Sequence, residues 1–280
     1  RNIQRVSNSC MSLREASILI NNQFSLSFGA MNIKTTLNNE LLAQDFGTEA
    51  DLNLYLARYK QIALAYAEVE NSIAVLSDMD SNRSYIYYGK VGESLGIALQ
   101  GAYHVINSIW EEDIFSRIHP DDLLKKHTRE LRFLHFLKNI SGKLRSDYYL
   151  EEYLRMRDGG GKYYLVLHRM FYVIAQDSGN ICLALCLYNL ADGPLRGSGI
   201  VNSADGSRMD IDTYDCSDLL SKREKEILLL IGKGKSSKEI ADELSVSIHT
   251  VSRHRQNILQ KLQVSNSAQA FGVACELHLL

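Results

Sequence analysis

The period of the apolar positions along this chain changes several times, and each change predicts a new kind of element. Leu52, Tyr55, Leu56, Tyr59, Ile62, Ala63, Tyr66 and Val69 recur at helical spacing. They predict about six turns of amphipathic helix, opened by a capping-box-like pair at Thr48 and Asp51. From Ser72 the pattern turns to β-branched and aromatic runs, SIAVLSDM and RSYIYYGKV, which predict two strands around a turn at Asp80 to Arg83. Helical spacing returns over 109–140 and breaks at His119-Pro120, where Asp121 or Asp122 can open a new helix. Three further strands are predicted at about Tyr149–Asp158, Lys162–Ala175 and Ile181–Leu190. Asp158-Gly159-Gly160-Gly161 and Asp177-Ser178-Gly179-Asn180 supply their hairpin turns. Upstream, Ser12–Asn22 reads as a short helix or strand and Thr36–Phe46 as a helix, and neither carries a functional signal.

Past Leu190 the chain turns to Gly, Ser and Asp, the composition of a linker. Within it Ile200-Val201-Asn202 and Arg208-Met209-Asp210-Ile211 flank Asp205-Gly206 and can form a small hairpin, docked on one domain or serving as a hinge. Two helices separated by a few residues then give a helix-turn-helix pattern. The first is predicted from about Ser236 to Leu244, capped by Ser236 or Ser237, with Ile240, Ala241 and Leu244 inward. Ser245-Val246-Ser247 make the turn, and Ser247 caps a second helix to about Leu262 with Val251, Ile258 and Leu262 inward. At about 100° per residue, His249, Ser252, Arg253 and Gln256 share the opposite arc. Arg and Gln are side chains that pair bidentately with base edges in a major groove. Residues 245–275 hold no Asp or Glu, while Arg253, Arg255 and Lys261 supply positive charge suited to phosphate. The plainer reading of the same pattern is a small helical subdomain with a solvated basic face.

The string LSKREKEILLLIGKGKSSKEIADELSVSIHTVSRHRQNILQKLQV resembles the LuxR-type helix-turn-helix family over nearly all of that domain. The resemblance rests on Leu220 to Glu224, Gly234, Lys238-Glu-Ile-Ala241, Thr250-Val251, His254, and Asn257-Ile258-Leu259-x-Lys261-Leu262. It implies that Ser252, Arg253 and Gln256 point at bases, and that Lys238, Thr250 and His254 lie near phosphates; the charge of Arg255 makes it a further expected phosphate contact. Several relatives carry Lys where this chain has Ser252 and Gln256, so their base preference does not transfer.

The order of two strands, helices and three antiparallel strands, with IHPDDL and RMRDGGGKYYLVLHR, resembles a PAS domain over roughly Glu68 to Ala191. The strings are His119 to Asp122 and Arg155-x-x-Asp158-Gly159; Tyr164 stands where a Trp is common. PAS relatives hold flavin, haem or small metabolites, or nothing. The Asn-Cys-Arg string of flavin photosensors is absent, and His104, His127 and His135, each a conceivable haem ligand, are read as solvated or core residues. No cofactor and no metal is predicted, and the ligand of such a pocket is unknown. His119 and Asp121 are read as helix-start structure, not as an acid/base pair.

Bulk properties leave this picture in place. At 280 residues, 45% hydrophobic and 23% charged, the chain suits about two globular domains. The formal charge of −2 divides into −4 over residues 1–217 and +2 over the rest. No apolar run is long enough to span a membrane and nothing resembles a signal peptide, so the cytoplasm is the expected location. The chain opens on Arg1, with Met11 as an alternative start. Five cysteines are an odd number for a disulfide framework. Cys182 and Cys186, four apart on a strand, are expected on one face as small buried hydrophobes and not as metal ligands. No GxSxG, HExxH, phosphate-cradling loop or receiver-type acidic cluster is present, so catalysis is not expected.

The expected fold class is α+β: a PAS-like antiparallel sheet with flanking helices, plus an all-α C-terminal helix-turn-helix domain. The expected organisation is an N-terminal helical segment over 1–67, a PAS-like sensor over 68–191, a linker over 192–217 and the DNA-binding domain over 218–280. The expected function is a bacterial-type transcription regulator. A PAS-like domain senses a ligand or partner, and the C-terminal domain binds double-stranded DNA as a homodimer. RNA polymerase is a further admissible partner and a membrane is not. The alternatives are a PAS-like domain that only dimerises or binds protein, a helical domain that docks a protein and never touches DNA, and an enzyme using the PAS-like pocket.

Overall fold

The computed structural model describes residues 33–46, 49–175, 179–191, 197–214, 219–262, 264–277 and 279–280. The expectations for Ser12–Asn22, the Thr48 cap and much of the Asp177–Asn180 turn fall outside them. Helix α1 spans 33–42 and α2 Glu49–Val69, followed by β1 (Ile73–Asp78) and β2 (Arg83–Tyr88). Next come α3 (Lys90–Ser94), β3 (Tyr103–Ile106), α4 (Glu112–Phe115) and α5 (Pro120–Lys138). A short 3-10 turn leads to β4 (Tyr148–Arg157), β5 (Tyr163–Ile174) and β6 (Ile181–Leu190), and then to the hairpin of β7 (Gly199–Asn202) and β8 (Arg208–Asp210). The strands form one antiparallel sheet of eight, ordered β3-β2-β1-β6-β5-β4-β7-β8. With its flanking helices it is the PAS-like, α+β arrangement expected. α3 and β3 were not foreseen: both are short, and β3 is exposed along most of its length, so neither repeats a pattern long enough to read.

The middle of the sheet, strands β1 and β6, is buried on both faces. Val75, Ile86, Leu154, Val166 and Tyr188 face an inner core with Leu37 of α1 and Leu131 and Leu134 of α5. Ala74, Leu76, Leu183, Leu185 and Leu187 face the other way, under α2. α2 approaches closely through Ala63 and Ala67, which are 0% and 3% exposed, so the helix packs on its own sheet. Val69, predicted on the buried stripe, is exposed at the last residue of α2, next to a chain reversal in which Asn71 takes φ 55°.

Cys182 and Cys186 do not share a face. Val173 pairs with Leu183 and Ile174 with Ile181, which leaves Cys182 as the extra residue of a β-bulge. The bulge shifts the alternation by one, so Cys182 packs with the α2 side of the sheet and Cys186 with the inner core. Both are buried, as expected of small hydrophobes.

The two PAS-like strings meet in space. His119 caps α5 by accepting from the Asp121 N–H at 3.3 Å, with Pro120 in the first turn, so the His119–Asp121 pair is helix-start structure. The next residue, Asp122, takes Arg155 in a fork: Nη2 to Oδ1 at 2.7 Å and Nε to Oδ2 at 2.9 Å, with the Arg155 backbone N–H on Oδ2 at 2.8 Å. Asp158 accepts from the N–H groups of Gly160 and Lys162 and shapes the turn into β5. Hairpin β7–β8 docks on the sheet edge, with Tyr149 opposite Val201 and Leu150 opposite Ile200.

The C-terminal region is all-helical: α6 (Lys222–Gly232), α7 (Ser237–Glu243), α8 (Ile248–Lys261) and α9 (Ser267–Glu276). Its core gathers Ile227, Leu228, Ile240, Val251, Ile258 and Val273, all at most 1% exposed. Ser221 and Ser236 each form a capping box, with Glu224 and Glu239. α6 and α7 also end alike. Lys235 N–H bonds Leu230 O around Gly234 at φ 80°, and Val246 N–H bonds Ala241 O around Ser245 at φ 52°. The second helix stop therefore holds a side chain in the left-handed region, where glycine is easier. Ser245→Gly is expected to raise stability by about 0.5–1 kcal/mol, read as a higher Tm; an unchanged or lower Tm would contradict this account of the turn.

Candidate nucleic-acid interface

The helix pair α7–α8 is held from three sides. Arg223 on α6 donates to the Leu244 carbonyl at 3.0 Å, fixing the end of α7. Ser247 caps α8 by accepting from the Thr250 N–H at 3.0 Å, and its hydroxyl also meets Thr250 Oγ1 at 2.9 Å. Val251, Ile258 and Leu262 seat α8 in the core, each at most 1% exposed. The opposite face then carries His249, Ser252, Arg253 and Gln256, all exposed and, among the described residues, without a hydrogen bond or ion pair.

The residues expected near phosphates fall into two sets. Lys238 is exposed in the first turn of α7. Thr250, His254 and Arg255 are half-buried. Arg255 turns inward, with Nη1 donating to Ser237 Oγ and Nη2 to Ser267 Oγ, both at 2.9 Å, so it ties the starts of α7 and α9 to α8. Lys261 donates to Glu224 Oε2 at 2.7 Å. Burial alone would raise the Glu224 carboxyl, but the bonds from Lys261 and Ser221 outweigh it and hold it below its ordinary range. Of the three cations in the acid-free stretch, Lys261 is thus neutralised by an ion pair and Arg255 is bound to hydroxyls. Arg253 alone points outward unpartnered among the described residues.

A second polar cluster lies inside the sheet domain, and the sequence reading did not find it. Glu152 on β4, His168 on β5 and Tyr188 on β6 sit side by side across three strands, each fully buried. His168 Nδ1 lies 2.9 Å from Glu152 Oε1, and its ring stacks on Tyr188 at 4.6 Å. Among the described residues the Tyr188 hydroxyl has no hydrogen-bond partner. Close by, Lys126 of α5 pairs with Glu130 at 2.5 Å and lines a small cavity of about 40 Å³ with Glu111, Tyr172 and Cys186. Burial would lower the Lys126 ammonium, but Glu130 foremost, with Glu152 and Glu111, raises it. The signal was present in the strand alternation: Glu152 falls between inward Leu150 and Leu154, and His168 between inward Val166 and Met170. His127 is buried, with both ring nitrogens unpartnered among the described residues, edge-on to Trp110 and Phe115, and burial pushes it well below its ordinary value. His104 stacks edge-on against Tyr88, and His135 lies 3.4 Å from Glu40. No group of three or more metal-ligating side chains occurs among the described residues, and no described helix is long and apolar enough to cross a membrane.

Residues 218–274 match the family model of bacterial regulatory proteins, luxR family. The C-terminal domain is a LuxR-type helix-turn-helix. The transcriptional regulatory protein LiaR of Bacillus subtilis is 52% identical over 61 residues, 22% of this chain and 29% of that protein. The chain thus spans less than a third of that relative's length. Among solved structures, the Vibrio cholerae VqmA dimer, described as bearing on LuxR-type receptors, is 14% identical with a TM-score of 0.27, covering 79% of this chain and 88% of that one. The PAS domain of an HTR-like protein from Haloarcula marismortui is 13% identical with a TM-score of 0.25, covering 50% of this chain and 97% of that one. At these scores both likenesses are loose.

Burial pushes the Glu111 carboxyl from an ordinary 4.5 up to about 7. The folded chain then keeps a proton that the unfolded chain has already released. Stability therefore falls as pH rises through that window, and the cost is complete above about pH 7. Glu111→Gln is expected to stabilise the protein at about pH 8 by on the order of 2–3 kcal/mol, and by less than half of that at about pH 5. Denaturant melts at the two pH values test this, and an equal gain at both would contradict it.

Proposed function

We propose that this chain is a transcription regulator whose C-terminal domain binds double-stranded DNA as a homodimer, under the control of a ligand or partner sensed by the PAS-like domain. The observation that carries the reading is the exposed row of Ser252, Arg253 and Gln256 on a capped, core-seated helix. α8 enters the major groove, Arg253 and Gln256 read base edges, and Ser252 completes the reading face. Lys238, Thr250, His254 and Arg255 set the helix against phosphates, with Arg255 acting chiefly by holding α7 and α9 in place. Names of the similar proteins support the regulator class, LiaR by sequence over this domain.

A reading in which the PAS-like domain serves dimerisation or protein binding, with no small ligand, draws support from Leu54 of α2, which is 72% exposed on the helix that covers the sheet. Native mass spectrometry separates the two by a retained small-molecule mass or its absence.

Bound sites selected from genomic DNA supply the probe for the main test. Arg253→Ala is expected to weaken binding to the selected site by about 1–3 kcal/mol and to relax preference at one base position. Lys238→Ala is expected to weaken binding evenly across sequences and to flatten the salt slope by about one. Affinity should fall steeply between about 50 and 200 mM salt. No retention on DNA at low salt, or an Arg253→Ala loss equal on all sequences, would overturn the assignment.

A further inference from the structure

The buried charges of the sheet domain do not stop at its surface. Arg129 on α5 is 12% exposed and faces two carboxylates of opposite character. One is Glu152, with no exposure, whose Oε2 lies 3.4 Å from Arg129 Nη1. The other is Asp212, half-exposed, taken in a fork by Arg129 Nε at 2.8 Å and Nη2 at 2.7 Å. Asp212 lies just past β8, ten residues ahead of α6, on the chain that enters the helix-turn-helix domain. Arg132, one turn further along α5, donates to the Asp212 carbonyl at 3.1 Å and secures the same point.

Each member needs the others. A fully buried carboxylate is tolerated only when paired, and Glu152 has His168 on one oxygen and Arg129 on the other. Burial would raise its pKa; His168, Lys126 and Arg129 outweigh that and keep it ionised. Any change that adds or removes charge around Lys126 and Glu152 alters how strongly the interior holds Arg129. A guanidinium divided between two carboxylates must then redistribute toward or away from Asp212.

We propose that Arg129 is a coupling residue, shared between Glu152 inside the sheet domain and Asp212 at its exit, so that the charge of the interior sets how firmly the segment leading to α6 is held. It deepens, and rests on, the reading that the sheet domain controls the C-terminal one. An occupant that takes a partner from Lys126 or Glu152 acts on the DNA-binding domain through this residue, with no contact of its own there.

Hydrogen exchange by mass spectrometry on the full chain tests the coupling without DNA. Arg129→Met is expected to speed exchange over residues 208–214 by about tenfold. Glu152→Gln is expected to alter exchange in that segment by about threefold in the Arg129 protein and by clearly less in the Arg129→Met background. An effect of Glu152→Gln that is absent, or that persists undiminished in that background, overturns the proposal. Should Glu152→Gln fail to give a cooperative melt, His168→Gln removes the other partner of Glu152 and takes its place in the cycle. Retention on DNA is scored separately. Its loss with an intact exchange cycle counts against the regulator reading alone, and an additive cycle with intact DNA binding counts against the coupling alone.

Discussion

An ionised carboxylate with no access to water survives only in company, and the sheet domain is arranged around providing that company to Glu152. Its position is fixed by β4 pairing with β5, which sets His168 opposite it, and by α5, which brings Lys126 and Arg129 across the same face. Had β5 slipped by one residue against β4, His168 would face the other way and Glu152 would lose the partner on its Oε1. The polar cluster therefore helps to specify register in a core whose many aliphatic contacts, Leu, Ile, Val and Met, are largely interchangeable in kind.

Long elements were legible in the sequence because their apolar spacing repeats over several turns or pleats. α2, α5, α8 and strands β4 to β6 lie close to where periodicity predicted them. The caps at Ser236 and Ser247 were equally readable, since a hydroxyl before an apolar-periodic run has a local chemical meaning. What failed was anything settled by a partner distant in sequence. The Cys182 bulge arises from pairing with β5, so counting along one strand put Cys182 and Cys186 on one face. The hydroxyls that hold Arg255 lie 18 and 12 residues away, and the carboxylate that neutralises Lys261 lies 37 away. A count of charge along the chain overstated the field on the exposed face of α8 for that reason.

The same distinction explains the two short PAS-like strings. Separately, His-Pro-Asp-Asp and Arg-x-x-Asp-Gly read as a helix start and a hairpin turn. Together they form one joint, in which the Asp122 carboxylate grips both the side chain and the backbone of Arg155 and fixes the N-terminus of α5 to β4. α5 is also the helix that carries Lys126 and Arg129, so this fork anchors the start of the helix that brings in the buried charges.

Hairpin β7–β8 has a meaning beyond its docking. A sheet ends wherever a strand offers unpaired backbone to solvent, and such an end invites another chain to join. β4 would have been that end, ten residues long and carrying buried apolar side chains. The hairpin covers its first four residues, Tyr148 to Glu151, and there leaves β8 outermost, three exposed residues reading Arg-Met-Asp. A strand so short and so charged is a poor template, and the segment that carries the chain toward α6 also blunts this part of the sheet's edge.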